Sequence, residues 1–287
     1  MFSFQIITDS CCDFPASEYD RLGLSMIPLR VEFRGQTTDD RNDDSLKVLY
    51  DGMRAGDRAV TSAANPQQWA SVMEAALEAG KDVLVLAFSS GLSTTYQSAV
   101  IAAQELAERY PQRGIRVVDT LCASLGQGLL VWHACRKRDA GLSLEDTARW
   151  VEDHKQHICH WFTVDDLMHL KRGGRISPAT ALVGTMLQIK PVLHVDAEGH
   201  LVNVSKSRGR KASLDALAQK MEQLGKNWDN RTVFISHGDC LEDAKYLAEK
   251  LKAEQGVQTV FISYVGSVIG AHAGPGTVAL FFLGDHR

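Results

Sequence analysis

Short apolar segments alternate with helical segments through the first half of the chain, and polar loops join them. Asp82–Phe88 is a nearly continuous apolar run of strand length, and Ile115–Asp119 is a second, shorter one. A helix is predicted to begin at Asn65-Pro66, where asparagine is a good cap and proline suits the first helical position. Alternation of this kind predicts a parallel sheet with helices on both faces. We therefore expect an N-terminal α/β/α-layer domain over residues 1–157.

The second half of the chain contains strand patterns that follow one another more closely. Ile189–Val195 and His200–Ser205 flank a short turn-forming segment and are predicted to pair as a hairpin. The other predicted strands are Ile158–Thr163, Thr232–Ser236, Val257–Ser263 and Val278–Leu283. Six strands that include a hairpin predict a mixed sheet in a C-terminal α/β domain over residues 158–287. The predicted class of the whole chain is α/β with two domains.

Two further elements are predicted from local pattern alone. Leu24–Phe33 reads as one long extended segment, and Ala179–Leu187 has the spacing of a helix.

Charge and composition exclude several classes of protein. The 287 residues carry a net charge of −4, so no general surface for nucleic acid or anionic membranes is indicated. No stretch approaches the roughly 18 uncharged apolar residues of a membrane span, and the N-terminus lacks the basic region of a signal peptide. The six cysteines are scattered and are expected to be reduced thiols. These features predict a cytoplasmic protein with no integral membrane segment.

Three segments contain the side chains most suited to hold a small polar group. Gly270–Thr277 surrounds His272 with small residues, including Gly274, which favours a close backbone approach. Ser89–Thr95 follows a buried strand and precedes a helix, which is where open α/β sheets bind ligands. Thr61-Ser62 adds two more hydroxyls. The alternatives are that Ser93 or Thr94 only caps its helix and that His272 is a buried structural histidine.

Two basic segments are candidates for binding a partner or an anion. Lys171–Ser177 places three cations around a glycine pair, and Lys206–Lys211 is the densest positive run of the chain. Arg175, Arg208 and Arg210 are the residues we expect to dock a partner. Solvated loops explain most of both segments equally well, although that alternative leaves Arg175 unexplained.

Signatures of metal and cofactor chemistry do not occur in the sequence. His154, His157, Cys159 and His160 are close together, but their spacing matches no established zinc pattern. The phosphate-binding and dinucleotide-binding glycine motifs and the nucleophile elbow are absent as well. We therefore expect no metal, no cofactor and no catalytic residue of a known motif.

The chain resembles the DegV family along nearly its whole length. The family's opening Ile-Thr-Asp-Ser segment is here Ile7–Ser10, and its central Ser-Ser-x-Leu-Ser-Gly-Thr-Tyr-Gln-Ser-Ala signature corresponds to Ser89–Ala99. Further matches, in order along the chain, are Gly126–Gly128, Lys171–Ser177, Lys190-Pro191, and His272 with Gly274–Gly276. Six matches in the same order make the resemblance specific.

The resemblance implies a two-domain protein that binds a long-chain fatty acid between its domains. Some members present that fatty acid to a separate fatty acid kinase, which phosphorylates the carboxylate. The residues that would hold the carboxylate here are Thr61, Ser62, Ser93 and His272, with Thr94 and Gly274 beside them. Thr94 stands where the family usually has glycine, which departs from the family pattern.

Two other functions are compatible with the same residues. His272 could act as a nucleophile or a general base on a small carbonyl or acyl substrate, as in the dihydroxyacetone kinases, whose fold the family resembles. Alternatively, the basic segments could make this a pure interaction protein. A fatty acid ligand without any cofactor is the function that the resemblance favours.

Overall fold

The structure is a computed structural model and describes residues 4–38, 43–177 and 188–287. Its helices are α1 Ala16–Leu22, α2 Asp43–Arg54, α3 Pro66–Glu78, α4 Thr95–Arg109, α5 Leu125–Asp139, α6 Leu144–His154, α7 Met168–Arg172, α8 Arg210–Leu224, α9 Leu241–Gln255 and α10 Ser267–Ala273. Its strands are β1 Phe4–Asp9, β2 Leu24–Ile27, β3 Arg30–Phe33, β4 Gln36–Thr38, β5 Ala59–Ser62, β6 Asp82–Ala87, β7 Ile115–Asp119, β8 Ile158–Thr163, β9 Ile189–Val195, β10 Leu201–Arg208, β11 Thr232–His237, β12 Thr259–Tyr264 and β13 Val278–Leu283. The helix predicted at Ala179–Leu187 lies outside the described residues.

The first half of the chain forms the predicted parallel sheet. Its strand order is β2-β1-β6-β7, and every neighbouring pair is parallel. The helix after β5 begins as the sequence predicts. The Asn65 side chain accepts a hydrogen bond from the Gln68 backbone N–H, and the Gln68 side chain accepts one from the Asn65 backbone N–H. Apolar side chains cover β6 on both faces, as expected for a strand between two helical layers.

The second half forms the predicted six-stranded mixed sheet in the order β10-β9-β8-β13-β11-β12. Only β11 and β12 run parallel; the other neighbours are antiparallel. The hairpin of β9 and β10 is confirmed, and β10 is longer than predicted because it continues to Arg208. Lys206 and Arg208 therefore lie on a strand rather than in a loop. The parallel sheet and the six-stranded sheet separate near residue 157, and the exact domain boundary stays a prediction.

The prediction of one extended segment over Leu24–Phe33 is wrong. The segment divides into β2, which pairs with β1, and β3, which pairs with β4 and β5 in a separate three-stranded sheet. Pro28 lies between them and has no N–H for a sheet ladder, so the chain leaves the parallel sheet there. The backbone N–H of Leu29 instead donates to the Ser10 hydroxyl at 2.9 Å.

The three-stranded sheet changes the setting of two predicted site segments. Thr61 and Ser62 close strand β5 and do not lie in a loop. His272 lies in the last turn of helix α10, although the glycines around it favour a loop. Gly270 suits this helix because a Cβ at that position would collide with the Tyr50 hydroxyl group. The small residue at this position therefore allows α10 to pack closely against Tyr50 of α2.

The largest buried apolar cluster joins the two halves of the chain. It includes Phe14 and Leu125 from the first half and Phe234 and Phe281 from the second. Phe14 contacts Phe234 edge-to-face, with ring centroids 6.2 Å apart. Burial between the halves places the loops after β6 and β7 over one face of the six-stranded sheet.

Candidate functional site

A cavity of about 510 Å³ lies where the loops of the parallel sheet meet the six-stranded sheet. Phe88 and Leu92, from the loop after β6, line one side, and Phe162 and Phe281, from β8 and β13, line the other. The volume falls within the range of about 300–1,000 Å³ that is usual for small-molecule sites. Most of the lining residues are apolar. Thr61, Ser62 and His272 line the cavity from β5 and α10, whereas Ser124, His160 and Ser236 line it from other elements.

The polar end of the cavity contains a hydrogen bond between Thr61 and His272. Thr61 Oγ1 lies 2.8 Å from His272 Nε2, and both residues line the cavity. Strand β5 positions Thr61 by pairing with β3, and α10 packs against both strands. The structure therefore brings together two residues that are 211 positions apart in sequence. Ser62, the next residue, lines the cavity as well and is exposed.

Ser93 and Thr94 also reach the cavity, from the loop before α4. The Ser93 hydroxyl lies 2.8 Å from Thr95 Oγ1 and accepts a 3.2 Å hydrogen bond from the Thr95 backbone N–H. Ser93 thus has a capping role and a cavity position at once. Thr94 has φ −80°, a value open to any residue, so threonine in place of the family's glycine causes no backbone strain here.

Arg175 is a cavity residue, whereas the sequence predicted only that its basic segment binds a partner or an anion. Its guanidinium donates to the Leu92 carbonyl at 3.1 and 3.2 Å and to the Gly173 carbonyl, and the side chain is half-buried. The residue was expected to dock a partner, and the structure places it beside His272 and Ser93. The only sequence signal was that a solvated loop left this arginine unexplained.

Burial and charge give the polar end a preference for anions. Burial, and then the nearby Arg175 charge, lower the pKa of His272 to about 4, so its imidazole is neutral at pH 7. Burial also lowers the pKa of Arg175, but a guanidinium keeps its positive charge in proteins. No acidic side chain of the described residues is among those lining the cavity. A carboxylate would therefore meet a cation and several hydroxyl donors without a competing negative charge.

Two glycines near the site have different roles. A Cβ at Gly173 would collide with His272 Nδ1, so glycine at this position makes room for the imidazole. Gly274 has φ +83°, and a Cβ there would lie 2.6 Å from the His169 ring. Gly274 is not among the residues that line the cavity. It turns the chain after α10, and the Thr277 hydroxyl donates to its carbonyl at 2.8 Å.

The second basic segment lies away from the cavity. Arg208 is exposed at the end of β10, whereas Arg210 is half-buried and pairs with Asp243 at 2.8 Å. Arg210 also lies 3.8 Å from Asp165. Lys206 and Lys211 are exposed beside them. Arg208 is therefore more available to a partner than Arg210 is.

The surroundings of His272 bear on the enzyme alternative. A nucleophilic or basic histidine is usually oriented by a third group, most often a carboxylate. In the described part of the chain, the hydrogen-bond partner of His272 is the Thr61 hydroxyl, and its charged neighbour is Arg175. This arrangement disfavours the imidazolium that base catalysis forms and suits hydrogen bonding to a ligand.

The described residues offer neither a metal-binding cluster nor a membrane-spanning helix. Residues 4–38, 43–177 and 188–287 contain no group of three His, Cys, Asp or Glu side chains placed to hold a metal ion. His160, one of the clustered histidines, has both ring nitrogens within reach of backbone groups. No helix within the described segments is long and apolar enough to cross a membrane.

Comparison with known proteins gives one consistent result. A family model described as "uncharacterised protein, DegV family" matches residues 3–285. A DegV domain-containing protein of Clostridium perfringens is 44% identical over 289 residues, covering 100% of this chain and 99% of the relative.

Solved structures extend this comparison to the fold. A DegV family protein from Thermus thermophilus, described by its fatty acid binding, is 31% identical with a TM-score of 0.86, covering 99% of this chain and 100% of that one. The fatty acid kinase B3 protein of Streptococcus pneumoniae, loaded with linoleic acid, has the same TM-score at 21% identity, covering 99% and 100% of the two chains. At that identity the likeness supports the fold alone.

Proposed function

This chain belongs to the DegV family, and from that premise we propose that it binds a long-chain fatty acid in the cavity between its two halves. The observation that carries the proposal is a largely apolar cavity that Thr61, Ser93 and His272 line together with Arg175. The fatty acid binding described for the Thermus relative supports the same ligand class.

The chemistry of a fatty acid matches the two kinds of wall. Each methylene buried against the apolar side contributes about 0.8 kcal/mol. A buried carboxylate without partners is very costly, so it needs several donors at one end. When neutral His272 is protonated at Nε2, it donates to Thr61 Oγ1, which leaves the Thr61 hydroxyl hydrogen for the ligand. Ser93 and Arg175 complete the set, with Ser62 and Thr94 at its edge.

A carrier role follows from the same geometry. The chain presents the carboxylate to a separate fatty acid kinase and contributes no catalytic group of its own. Exposed Lys206 and Arg208 are the surface for that partner, because no acidic side chain of the described residues pairs with either. Arg175 binds the carboxylate of the ligand. Arg210 stabilises the docking surface through its ion pairs with Asp243 and Asp165. The same reading assigns a cytoplasmic location and no cofactor.

Mass spectrometry and one substitution test the proposal together. The protein is purified, extracted under denaturing conditions and analysed for a released fatty acid and for a covalent adduct on His272. A released fatty acid supports the carrier, and an adduct supports the enzyme. If both are absent, the interaction protein is the remaining alternative. Ser93→Ala should then lower fatty acid affinity, while the loss of its hydrogen bond to Thr95 costs only about 1 kcal/mol of folding stability.

Ser98→Ala is the matched control for that substitution. Ser98 lies on the same helix α4 but is not among the cavity-lining residues. It should leave fatty acid affinity unchanged. Equal affinity of the Ser93 and Ser98 variants would contradict the placement of the carboxylate at Ser93.

A further inference from the structure

The guanidinium of Arg287 is surrounded by backbone carbonyls from three separate segments. Nη1 donates to the carbonyls of Leu121 and Asp196, and Nη2 donates to those of Thr120, at 3.2 Å, and Lys155, at 2.7 Å. Leu121 and Thr120 belong to the loop after β7, whereas Asp196 begins the turn between β9 and β10. One side chain thus joins the first half of the chain to the hairpin of the second.

This arginine is buried without an ionic partner. Arg287 is 9% exposed, and no carboxylate of another described residue lies within ion-pair distance of it. A buried charge is tolerated only when hydrogen bonds replace its hydration. Here the four carbonyls and Cys122 Sγ, 3.0 Å from Nη2, replace much of that hydration, while Nε has no hydrogen-bond partner among the described residues. Hydrogen bonds from a charged donor are stronger than neutral ones. Removing the guanidinium would leave those carbonyls without their strongest partner.

A chain of hydrogen bonds connects this cluster to the Ser93 loop. Next to Leu121, the carbonyl of Cys122 accepts from the Ser89 backbone N–H at 3.1 Å. The Ser89 hydroxyl donates to the Gly199 carbonyl at 2.9 Å, and the Ser89 carbonyl accepts from the Ser93 N–H at 3.2 Å. Ser89 is therefore held from both segments that Arg287 joins.

The spacing at this contact leaves little room for movement. A Cβ at Gly91 would lie 2.8 Å from the Glu198 carbonyl oxygen, so the two loops touch along their backbones. Ala123 and Ser124 follow the loop after β7, and Val195 and Leu201 flank the hairpin turn; all four line the cavity. A shift of either segment would open the part of the cavity wall that these four residues form.

We propose that Arg287 is a positioning residue that keeps the acyl cavity closed by holding the hairpin turn against the loops after β6 and β7. It touches no ligand and acts through Ser89 and Cys122. The inference rests on the proposed fatty acid ligand, because its functional consequence is slow ligand dissociation. A purely local role would stabilise the fold equally with and without ligand and would leave dissociation unchanged.

The test compares Arg287→Ala and Arg287→Lys with the wild type and with Arg231→Ala. Arg231 is an exposed arginine paired with Asp229 at 2.5 Å and serves as the control. Dissociation of a fluorescent long-chain fatty acid is measured by stopped flow after mixing with excess phosphatidylcholine vesicles. Arg287→Ala should accelerate dissociation about tenfold or more, which corresponds to loss of hydrogen bonds to a charged group. Lysine should restore only part of the difference, because it lacks the planar fork that reaches several carbonyls.

Added guanidinium ion provides a readout that a general loss of stability would not give. At concentrations far below those that unfold the protein, it should slow dissociation from Arg287→Ala but not from the wild type. Sodium at the same ionic strength should have no such effect. Dissociation that is unchanged in Arg287→Ala, or that guanidinium does not slow, would overturn the proposal.

Hydrogen exchange of the ligand-free proteins separates this inference from the proposed function. Backbone amides at Ser89 and Gly199 should exchange faster in Arg287→Ala than in Arg231→Ala. A wild type that binds no fatty acid refutes the ligand assignment, and exchange still shows whether Arg287 holds the loops. Unchanged exchange at both amides refutes the positioning role, even if the wild type binds fatty acid. If Arg287→Ala does not fold, Arg287→Lys gives the same comparison.

Discussion

His160 and His272 line the same cavity but are held in different ways. His160 Nδ1 lies 2.8 Å from the Ile158 carbonyl, and its Nε2 accepts a 3.2 Å hydrogen bond from the Ala123 N–H. His272 has a hydroxyl partner, Thr61, and a neighbouring cation, Arg175. Burial depresses the pKa of both rings. A low pKa therefore does not distinguish a structural histidine from a binding one, whereas the nature of the hydrogen-bond partners does.

The two histidines differ in whether their hydrogen-bonding groups are available to a ligand. Backbone groups use both nitrogens of His160, and a Cβ at Gly126 would collide with its ring. His272 is hydrogen-bonded to the Thr61 hydroxyl, which can rotate, so that hydroxyl can also form a hydrogen bond with a ligand. We expect His160 to matter mainly for folding and His272 mainly for fatty acid affinity.

The largest effect on stability should come from His160→Ala. It removes a fully buried ring and leaves the Ala123 N–H and the Ile158 carbonyl without their side-chain partner. We expect a loss of about 3 kcal/mol in the free energy of unfolding, within the range for large-to-small core substitutions. Urea denaturation measures it. A loss no larger than that of His272→Ala would remove the distinction between the two rings.

Substitutions at His272 should have the larger effect on binding. His272→Ala should weaken fatty acid affinity by about 1–3 kcal/mol, because the carboxylate site loses one member of its hydrogen-bond chain. His272→Gln keeps a donor of similar reach and should retain much of the affinity. Titration calorimetry of delipidated protein measures both. If glutamine abolishes a turnover that the purified protein shows alone, the enzyme alternative replaces the carrier.

The smallest effect on fatty acid affinity should come from reversing the exposed cations away from both histidines. Lys206→Glu with Arg208→Glu should leave fatty acid affinity unchanged and slow phosphorylation by the proposed kinase partner. Electrostatic steering also predicts that the rate at which the wild-type protein associates with this kinase falls steeply with added salt. An association that responds neither to salt nor to these substitutions would assign docking to another surface.

Sequence pattern was sufficient where local and long-range preferences agree. Val278–Leu283 is a strand with the predicted bounds, because its apolar run suits a central strand in any sheet. The capping pair at Asn65 is likewise local chemistry. Thr61, Ser93 and His272 were identified as a set by motif resemblance, and the structure brings them to one cavity.

Residues whose roles depend on distant contacts could not be predicted. The break at Pro28 sends β3 into a separate sheet, and its pairing with β5 is what carries Thr61 to α10. Arg175 points inward because the Leu92 carbonyl, 83 positions away, accepts its hydrogen bonds. Arg287 shows no motif at all, since four of its five hydrogen-bond partners are backbone carbonyls that any residue would supply.

Nuclear magnetic resonance titration of the His272 imidazole tests the central claim most directly. Burial and Arg175 hold its pKa at about 4 without ligand, and a carboxylate bound through Thr61 should raise it, because a nearby negative charge favours the protonated ring. Proton uptake then accompanies binding, so affinity should increase as pH falls through the raised pKa. The account predicts a raised pKa for His272 in the fatty acid complex and little change for His160. An unchanged pKa of His272 with fatty acid bound would contradict a carboxylate at this end of the cavity.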